Sequence, residues 1–244
     1  MSKIALITGS SGGLGKAIAA ALAHAGFSLA LHYYRNEEKA RTLLRGLPSD
    51  PHSHALFRAD LRDESQIESM IAEITSTLGP LSVLINNAGI PYSGLSWKQP
   101  AAEWQEVFAV NTMAPWLVSK YCIPLMREKG HGRIIYMSSI VAHRPPTGTS
   151  LYAASKAALE GLTRAQAVEL SRFGITVNCI APGYFDAGMI SAVDEDTRQT
   201  LLRQTPAGRL GHAAELAAAV LYLCQENAAY TTGQVVHING GLFI

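Results

Sequence analysis

Seven short β-type runs, separated by longer helical stretches, are the feature that most restricts how this chain can fold. The runs are KIALIT (3–8), SLALHYY (28–34), HALFRA (54–59), LSVLIN (81–86), GRIIYMS (132–138), GITVNCI (174–180) and GQVVHIN (233–239). Helical patterns occupy 13–25, 37–47, 64–78, 102–129 and 151–172 between them. This is the alternation of βαβ units, and it predicts an α/β fold: a doubly wound parallel sheet of about seven strands with helices on both faces. Right-handed crossovers bring the strand ends and the loops after them to one edge, where ligands of such sheets bind.

The length of 244 residues and the 48% hydrophobic content allow a sizeable core and a single domain spanning 1–244. One long irregular stretch, 183–212, is suited to a substrate lid; as a linker it leaves only about 30 residues for a second domain. Twenty Lys and Arg against 19 Asp and Glu give a net charge of +1, which argues against a nucleic-acid or anionic-membrane surface. Cys122, Cys179 and Cys224 are odd in number and widely spaced, and Cys179 sits in the apolar run ITVNCIAP. They read as buried thiols in a reducing, cytoplasmic compartment, not as disulfides or metal ligands. No apolar run reaches the roughly 18 residues a membrane span needs, and MSKIALITG is too short in apolar residues for a secretion signal.

Several of the chemistry-bearing residues fall at predicted strand ends, and the others in the helical stretches that follow. Thr8-Gly9-Ser10-Ser11-Gly12-Gly13-Leu14-Gly15 links the first strand to a helix, an arrangement that points free backbone N–H groups at a diphosphate. A Cβ there obstructs the approach of backbone to phosphate, although a tight βα turn needs glycines too. Asn86-Asn87-Ala88-Gly89 closes the fourth strand with small residues beside something flat and bulky, or forms a plain turn. Asp60-Leu61 closes the third: Asp60 can accept from an adenine amino group or cap the following helix. Ser138-Ser139 ends the fifth strand, and Asn111 is polar within an apolar helical stretch. In Tyr152-Ala153-Ala154-Ser155-Lys156 the phenol and ammonium share one helix face at i, i+4, so the cation favours phenolate and lowers the Tyr pKa; ordinary exposed helices carry such pairs as well.

Taken jointly and in order, TGSSGGLG (8–15), NNAG (86–89), Asn111, Ser139, Tyr152 with Lys156, and Pro182-Gly183 resemble the shorter, undecorated branch of the short-chain dehydrogenase/reductase family over practically the whole chain. The resemblance implies a Rossmann-type fold and a catalytic tetrad of Asn111, Ser139, Tyr152 and Lys156. It implies cofactor contacts from Gly9, Ser11, Gly12, Gly13, Leu14, Gly15, Asp60, Leu61, Asn87, Ala88, Gly89, Tyr152, Lys156, Pro182, Gly183 and Phe185. Its chemistry is hydride transfer from a nicotinamide to a carbonyl carbon without a metal. Tyr152 gives the proton, Ser139 bonds the carbonyl oxygen, Lys156 holds the ribose, and Asn111 keeps a water in place. PAGRLG (206–211), YTTG (230–233) and HINGG (237–241) look most like the 3-oxoacyl-(acyl-carrier-protein) reductase subgroup. Two other readings stay open: a dehydrogenase or carbonyl reductase of a small alcohol, sugar or steroid, and a dinucleotide-binding sensor.

The second strand ends His32-Tyr33-Tyr34-Arg35 without a carboxylate for a ribose 2′-hydroxyl, and Arg35 is available for a 2′-phosphate. NADP(H) is therefore favoured over NAD(H), although Gly12 stands where many NADPH-using relatives carry a basic residue. Ala187 replaces the family's usual Thr after Pro182-Gly183. An acyl-carrier partner is acidic, and Arg127, Lys129 and Arg172 are the cations available to meet it, with Gly130 and Phe173 where the subgroup usually has basic residues. Ala157, Ala158, Gly161 and Ala165 give the Tyr152 helix a small-residue face, and family members commonly form homotetramers through it.

Overall fold

The strands of the computed structural model, which describes residues 3–48, 53–188 and 194–244, form one sheet in the order β3-β2-β1-β4-β5-β6-β7. They are β1 (Lys3–Ile7), β2 (Phe27–Tyr33), β3 (His54–Arg58), β4 (Val83–Asn86), β5 (Gly132–Met137), β6 (Ile175–Pro182) and β7 (Val235–Ile238). Every neighbouring pair is parallel. The fold is thus the doubly wound α/β sheet that the alternation predicts, with strand ends shifted by one or two residues.

Side-chain alternation splits the core into two layers. Ile4 and Leu6 of β1 face one layer with α3 (Glu64–Thr77), α5 (Ala114–Lys129) and α6 (Ser150–Leu170). Ala5 and Ile7 face the other, with α1 (Gly13–His24) and α8 (Ala213–Cys224), while Leu43 and Leu44 of α2 (Glu37–Arg45) pack at its margin. Both faces of β1, β2 and β4 to β6 are therefore covered, as a parallel sheet requires. Cys122, Cys179 and Cys224 are free and buried within these layers.

Two stretches differ from the sequence reading. The helix expected over 102–129 is α4 (Ala101–Phe108) and α5 joined by a π-helical turn, Ala109–Met113, with Asn111 fully buried at its centre. A π turn widens the helix by one residue and is common where a functional side chain must be displaced from the regular helical row. The stretch 183–212, read as irregular, contains α7 (Glu195–Gln204). Its first turn is capped by Asp194, which accepts from the Thr197 N–H at 2.8 Å and the Thr197 hydroxyl at 2.9 Å. None of its residues is fully buried, so it has no apolar stripe for a periodicity argument to detect.

A buried polar chain ties the sheet to α5 and α6 directly under the site. Asn86 at the end of β4 donates to Ser119 of α5; the Ser119 hydroxyl lies 2.6 Å from the Tyr136 phenol, and Tyr136 donates to Gln166 of α6 at 2.7 Å. Tyr136→Phe leaves the buried Gln166 amide oxygen without its donor, while Ser119 keeps its bonds with Asn86 and the Pro115 carbonyl. The expected cost is about 1–3 kcal/mol, read as a lower urea midpoint at unchanged slope.

Candidate active site

The C-terminal edge of the sheet opens into a cleft of about 800 Å³, of a size to hold a dinucleotide and a small substrate together. The structure places every residue expected to contact the cofactor on its wall, together with Ser139. Asn111 is the exception among the expected site residues: it sits behind Ile90 and does not reach the cleft.

At the first crossing, backbone meets backbone so closely that glycine is required. Gly9 has φ +62°, and a Cβ on it falls 3.0 Å from the Ala88 Cα; one on Gly15 falls 2.6 Å from the Gly9 carbonyl oxygen. Thr8 accepts the Asn87 and Ala88 N–H groups on its hydroxyl, each at 3.0 Å, while the Asn87 amide donates to the Thr8 and Gly9 carbonyls. No side chain caps the start of α1 after Gly12, which leaves its first N–H groups directed at the cleft. An uncapped helix start behind a glycine turn is a fitting place for a diphosphate.

His32, a residue the sequence reading passed over, holds this turn. The Gly9 N–H donates to its Nδ1 at 3.1 Å, so the proton resides on Nε2, which donates to the Ala59 carbonyl at 3.1 Å. One neutral imidazole thereby links the ends of β2 and β3 to the glycine turn. Burial keeps it neutral by lowering its pKa to about 4. Nothing in the sequence distinguishes it from the apolar residues around it.

The outer end of the cleft carries more charge than expected. Tyr34 lies between two guanidinium groups, Arg35 at 5.1 Å and Arg62 at 5.6 Å from its ring centre. Arg62 also donates to the Tyr34 hydroxyl and holds both oxygens of Asp60, at 2.9 Å and 2.6 Å. That pairing holds the Asp60 carboxyl well below the usual carboxylate range. Asp60 is not the cap of α3; that cap is Asp63, which accepts from the Ser65 and Gln66 N–H groups.

At the reacting end, Ser139, Tyr152 and Lys156 converge from β5 and α6. Ser139 Oγ accepts from the Val141 N–H at 3.2 Å. Burial pushes the Tyr152 phenol up to about 12, a shift the neighbouring Ser139 hydroxyl opposes. Lys156 Nζ donates to the Met137 carbonyl at 2.8 Å and lies 5.8 Å from the centre of the Tyr152 ring. Its own pKa is lowered to about 8 by burial. The expected lowering of the Tyr pKa by Lys156 is not what the chain's own groups produce, because both side chains are taken out of water. The Asn111 amide is occupied on both sides: its oxygen accepts the Ile90 N–H, and its nitrogen donates to the Ile90 carbonyl and to Ser155 Oγ.

Beyond Pro182-Gly183, the Ala187–Gly188 backbone packs on the glycine turn, so closely that a Cβ on Gly13 falls 2.4 Å from the Gly188 nitrogen. The rest of the expected lid is described only in part, since 189–193 lie outside the described residues. Of the loop 91–100, Pro91 lines the cleft.

A family model described as Enoyl-(Acyl carrier protein) reductase matches residues 9–243. The chain is 40% identical to nodulation protein G of Azospirillum brasilense, over 98% of each chain. It is 38% identical to the 3-oxoacyl-(acyl-carrier-protein) reductase FabG of Escherichia coli, over 99% of this chain and 98% of the relative. The FabG of Staphylococcus aureus strain Mu50 is 35% identical, over 100% of this chain and 99% of the relative.

The neutral His32 makes stability depend on pH. Folded, it stays unprotonated down to about pH 4, whereas unfolded it takes up a proton near 6.5. Folding is therefore opposed increasingly as pH falls through that window, by about 3 kcal/mol at its lower end. His32→Asn keeps an acceptor for Gly9 but cannot titrate. Urea denaturation at pH 7 and pH 4 is expected to show a larger acid loss for the wild type than for the variant, by about that amount.

Proposed function

The chain belongs to the short-chain dehydrogenase/reductase family, and from that premise we propose that it reduces a 3-oxoacyl thioester carried on acyl carrier protein to the 3-hydroxy product, using NADPH. The observation that carries this reading is one cleft with an uncapped glycine turn at one end and Ser139, Tyr152 and buried Lys156 at the other.

The bound nicotinamide supplies a hydride to the carbonyl carbon. The chain's own residues handle the oxygen. The Val141 N–H occupies a lone pair of Ser139 Oγ and leaves its O–H free to turn toward a carbonyl oxygen. With its pKa raised to about 12, the Tyr152 phenol is protonated at neutral pH and ready to donate as that oxygen gains charge. A protonated phenol is the state that reduction needs, whereas alcohol oxidation needs phenolate. Lys156, anchored on the Met137 carbonyl, holds its ammonium 3.2 Å from where a Cβ on Gly89 would lie, and the Asn111 oxygen is equally near that point. Lys156 is thus placed to bind ribose hydroxyls beside Gly89. The Asn111 amide is engaged with Ile90 and Ser155, so its side chain braces the wall beside Lys156.

NADPH preference is supported by Arg35 and the absence of a carboxylate at the end of β2. Carrier use is supported by the relatives' names and by Arg127 and Arg172, both stacked on Phe173, at 4.3 Å and 4.7 Å. Lys129, the third candidate cation, donates to the Pro80 carbonyl. Gly130 and Phe173 are uncharged, which favours a second reading, reduction of a free small-molecule ketone. Assembly as a homotetramer is supported by the exposed small face of α6, where Ala157, Gly161 and Ala165 adjoin Val168 at 81% exposure.

Tyr152→Phe is expected to bind NADPH as the wild type does and to lose about 100-fold or more in kcat. With wild-type enzyme, kcat/KM for acetoacetyl carrier is expected to exceed that for a short acetoacetyl thioester, and a crotonyl carrier is expected to give no turnover. Equal values for carrier and short thioester select the small-molecule reading. For the cofactor, Arg35→Glu is expected to raise the NADPH dissociation constant about tenfold or more while leaving NADH within about twofold, as measured by nicotinamide fluorescence titration.

A further inference from the structure

Glu160 is a buried carboxylate, 5% exposed, and the proposed chemistry does not use it. It lies four residues beyond Lys156 and eight beyond Tyr152 on α6, so the three side chains form one row along the helix. A single oxygen, Oε1, receives two bonds from outside the helix: the Ser138 hydroxyl at 2.7 Å and His143 Nε2 at 2.8 Å. Ser138 and His143 are the two ends of the segment that carries Ser139 between β5 and the loop before α6. The His143 ring is in turn packed against His237 at 4.6 Å and Phe243 at 4.8 Å, which limits its swing.

We propose that Glu160 is a positioning residue for carbonyl reduction: it clasps the Ser139 segment at both ends and locks it to the helix that presents Tyr152 and Lys156. Hydrogen bonds to a carboxylate are stronger than neutral ones, and a low local dielectric strengthens them further. An unpartnered carboxylate at this depth is costly, so both bonds persist through the reaction. Ser139 Oγ accepts from the Val141 N–H, which belongs to the same segment, and the neighbouring Ser138 hydroxyl also lies 3.2 Å from the Lys156 carbonyl of α6. Without Glu160 the β5 end of the segment stays tied to α6 through Lys156, but the His143 end loses its bond to the helix, and small misplacements of reacting groups are expensive in rate. Most of the expected cofactor contacts come from the turns after β1 to β4, which this clasp does not touch; Lys156 is held separately, by its bond to the Met137 carbonyl.

The inference rests on the proposed roles of Ser139 and Tyr152, and the test separates the two. Steady-state kinetics with a 3-oxoacyl substrate are compared for wild type, Glu160→Leu, Glu160→Gln, Ser138→Ala and the Ser138→Ala/Glu160→Leu double variant, with Tyr152→Phe alongside and NADPH affinity measured for each. Glu160→Leu is expected to lower kcat by about tenfold with KM and the NADPH dissociation constant within about twofold. Glu160→Gln, whose amide oxygen still accepts both bonds, restores at least about half of wild-type kcat. The double variant is within about twofold of Glu160→Leu alone, since both remove the Ser138–Glu160 bond and Ser138→Ala removes besides it only the longer bond to the Lys156 carbonyl. If Glu160→Leu does not fold, Ser138→Ala combined with His143→Phe carries the same expectation. Unchanged kcat in the Leu variant overturns the proposal, as does a loss that Gln does not restore or one matched by an equal loss of NADPH affinity. An active Tyr152→Phe overturns the underlying catalytic reading instead.

Discussion

The crossing between β1 and β4 is the constraint from which the site follows. β1 pairs with β2 on one side and β4 on the other, so the chain leaves neighbouring strand ends in opposite directions and a crevice opens between them. Backbone groups at such a point have no further strand to pair with and must find other partners. Thr8 and Asn87 supply them, the hydroxyl accepting two N–H groups and the amide reaching two carbonyls. His32 closes the same turn from the other side by accepting the Gly9 N–H. With the turn satisfied internally, the first N–H groups of α1 are left over, and they are what an anionic cofactor meets.

The reacting end is built by a different device. Here polar groups are buried and bonded several times over, which exchanges freedom for position. Ser155 illustrates it: its hydroxyl donates to the Tyr152 carbonyl and accepts from Asn111, while its own carbonyl accepts from Thr112. The π turn of Ala109–Met113 is therefore fastened to the first turns of α6, and Ile90 of the loop after β4 is fastened to the same turn through Asn111. Asn111 thus couples the part of the chain that forms the cofactor wall to the part that carries the phenol. It does so from behind the cleft, through bonds to Ile90 and Ser155.

The sheet was legible because strand and helix periods alternate without ambiguity, and because Gly9, Gly13 and Gly15 sit where one strand becomes one helix. The expected cofactor-contact residues were named from joint motif order, and the structure gathers them on one cleft; Tyr152 and Lys156 alone are an ordinary helical pair. What stayed hidden depends on contacts between distant segments. His32 looks like one more strand residue until the Gly9 N–H is found 3.1 Å away, and Glu160 looks like a solvated helical acid until Ser138 and His143 arrive from another element. The direction of the Tyr152 shift was missed for the same reason, since i, i+4 spacing places the cation but does not report the burial of the phenol. α7 escaped because its support is local capping by Asp194 rather than an apolar stripe.

The order of elements along the chain also divides the labour of the site. β1 to β4 and their turns line one end of the cleft, while the segments after β5 and β6, with α6, line the other. The last residues pack against that second end. Leu242 packs with Ile140 and Val141, and this small cluster also receives Tyr152, Tyr184 and Phe243. It is fixed by two long-range ties: Arg144 donates to the Leu242 carbonyl, and Asn239 donates to that of Phe243. The C-terminal segment therefore bears on the same loop that presents Ser139. Tyr184 of this cluster lines the cleft, and no hydrogen bond of the glycine turn depends on Tyr184, Leu242 or Phe243. The two ends of the cleft are therefore held by separate sets of bonds, one around the glycine turn and one around the loop that carries Ser139.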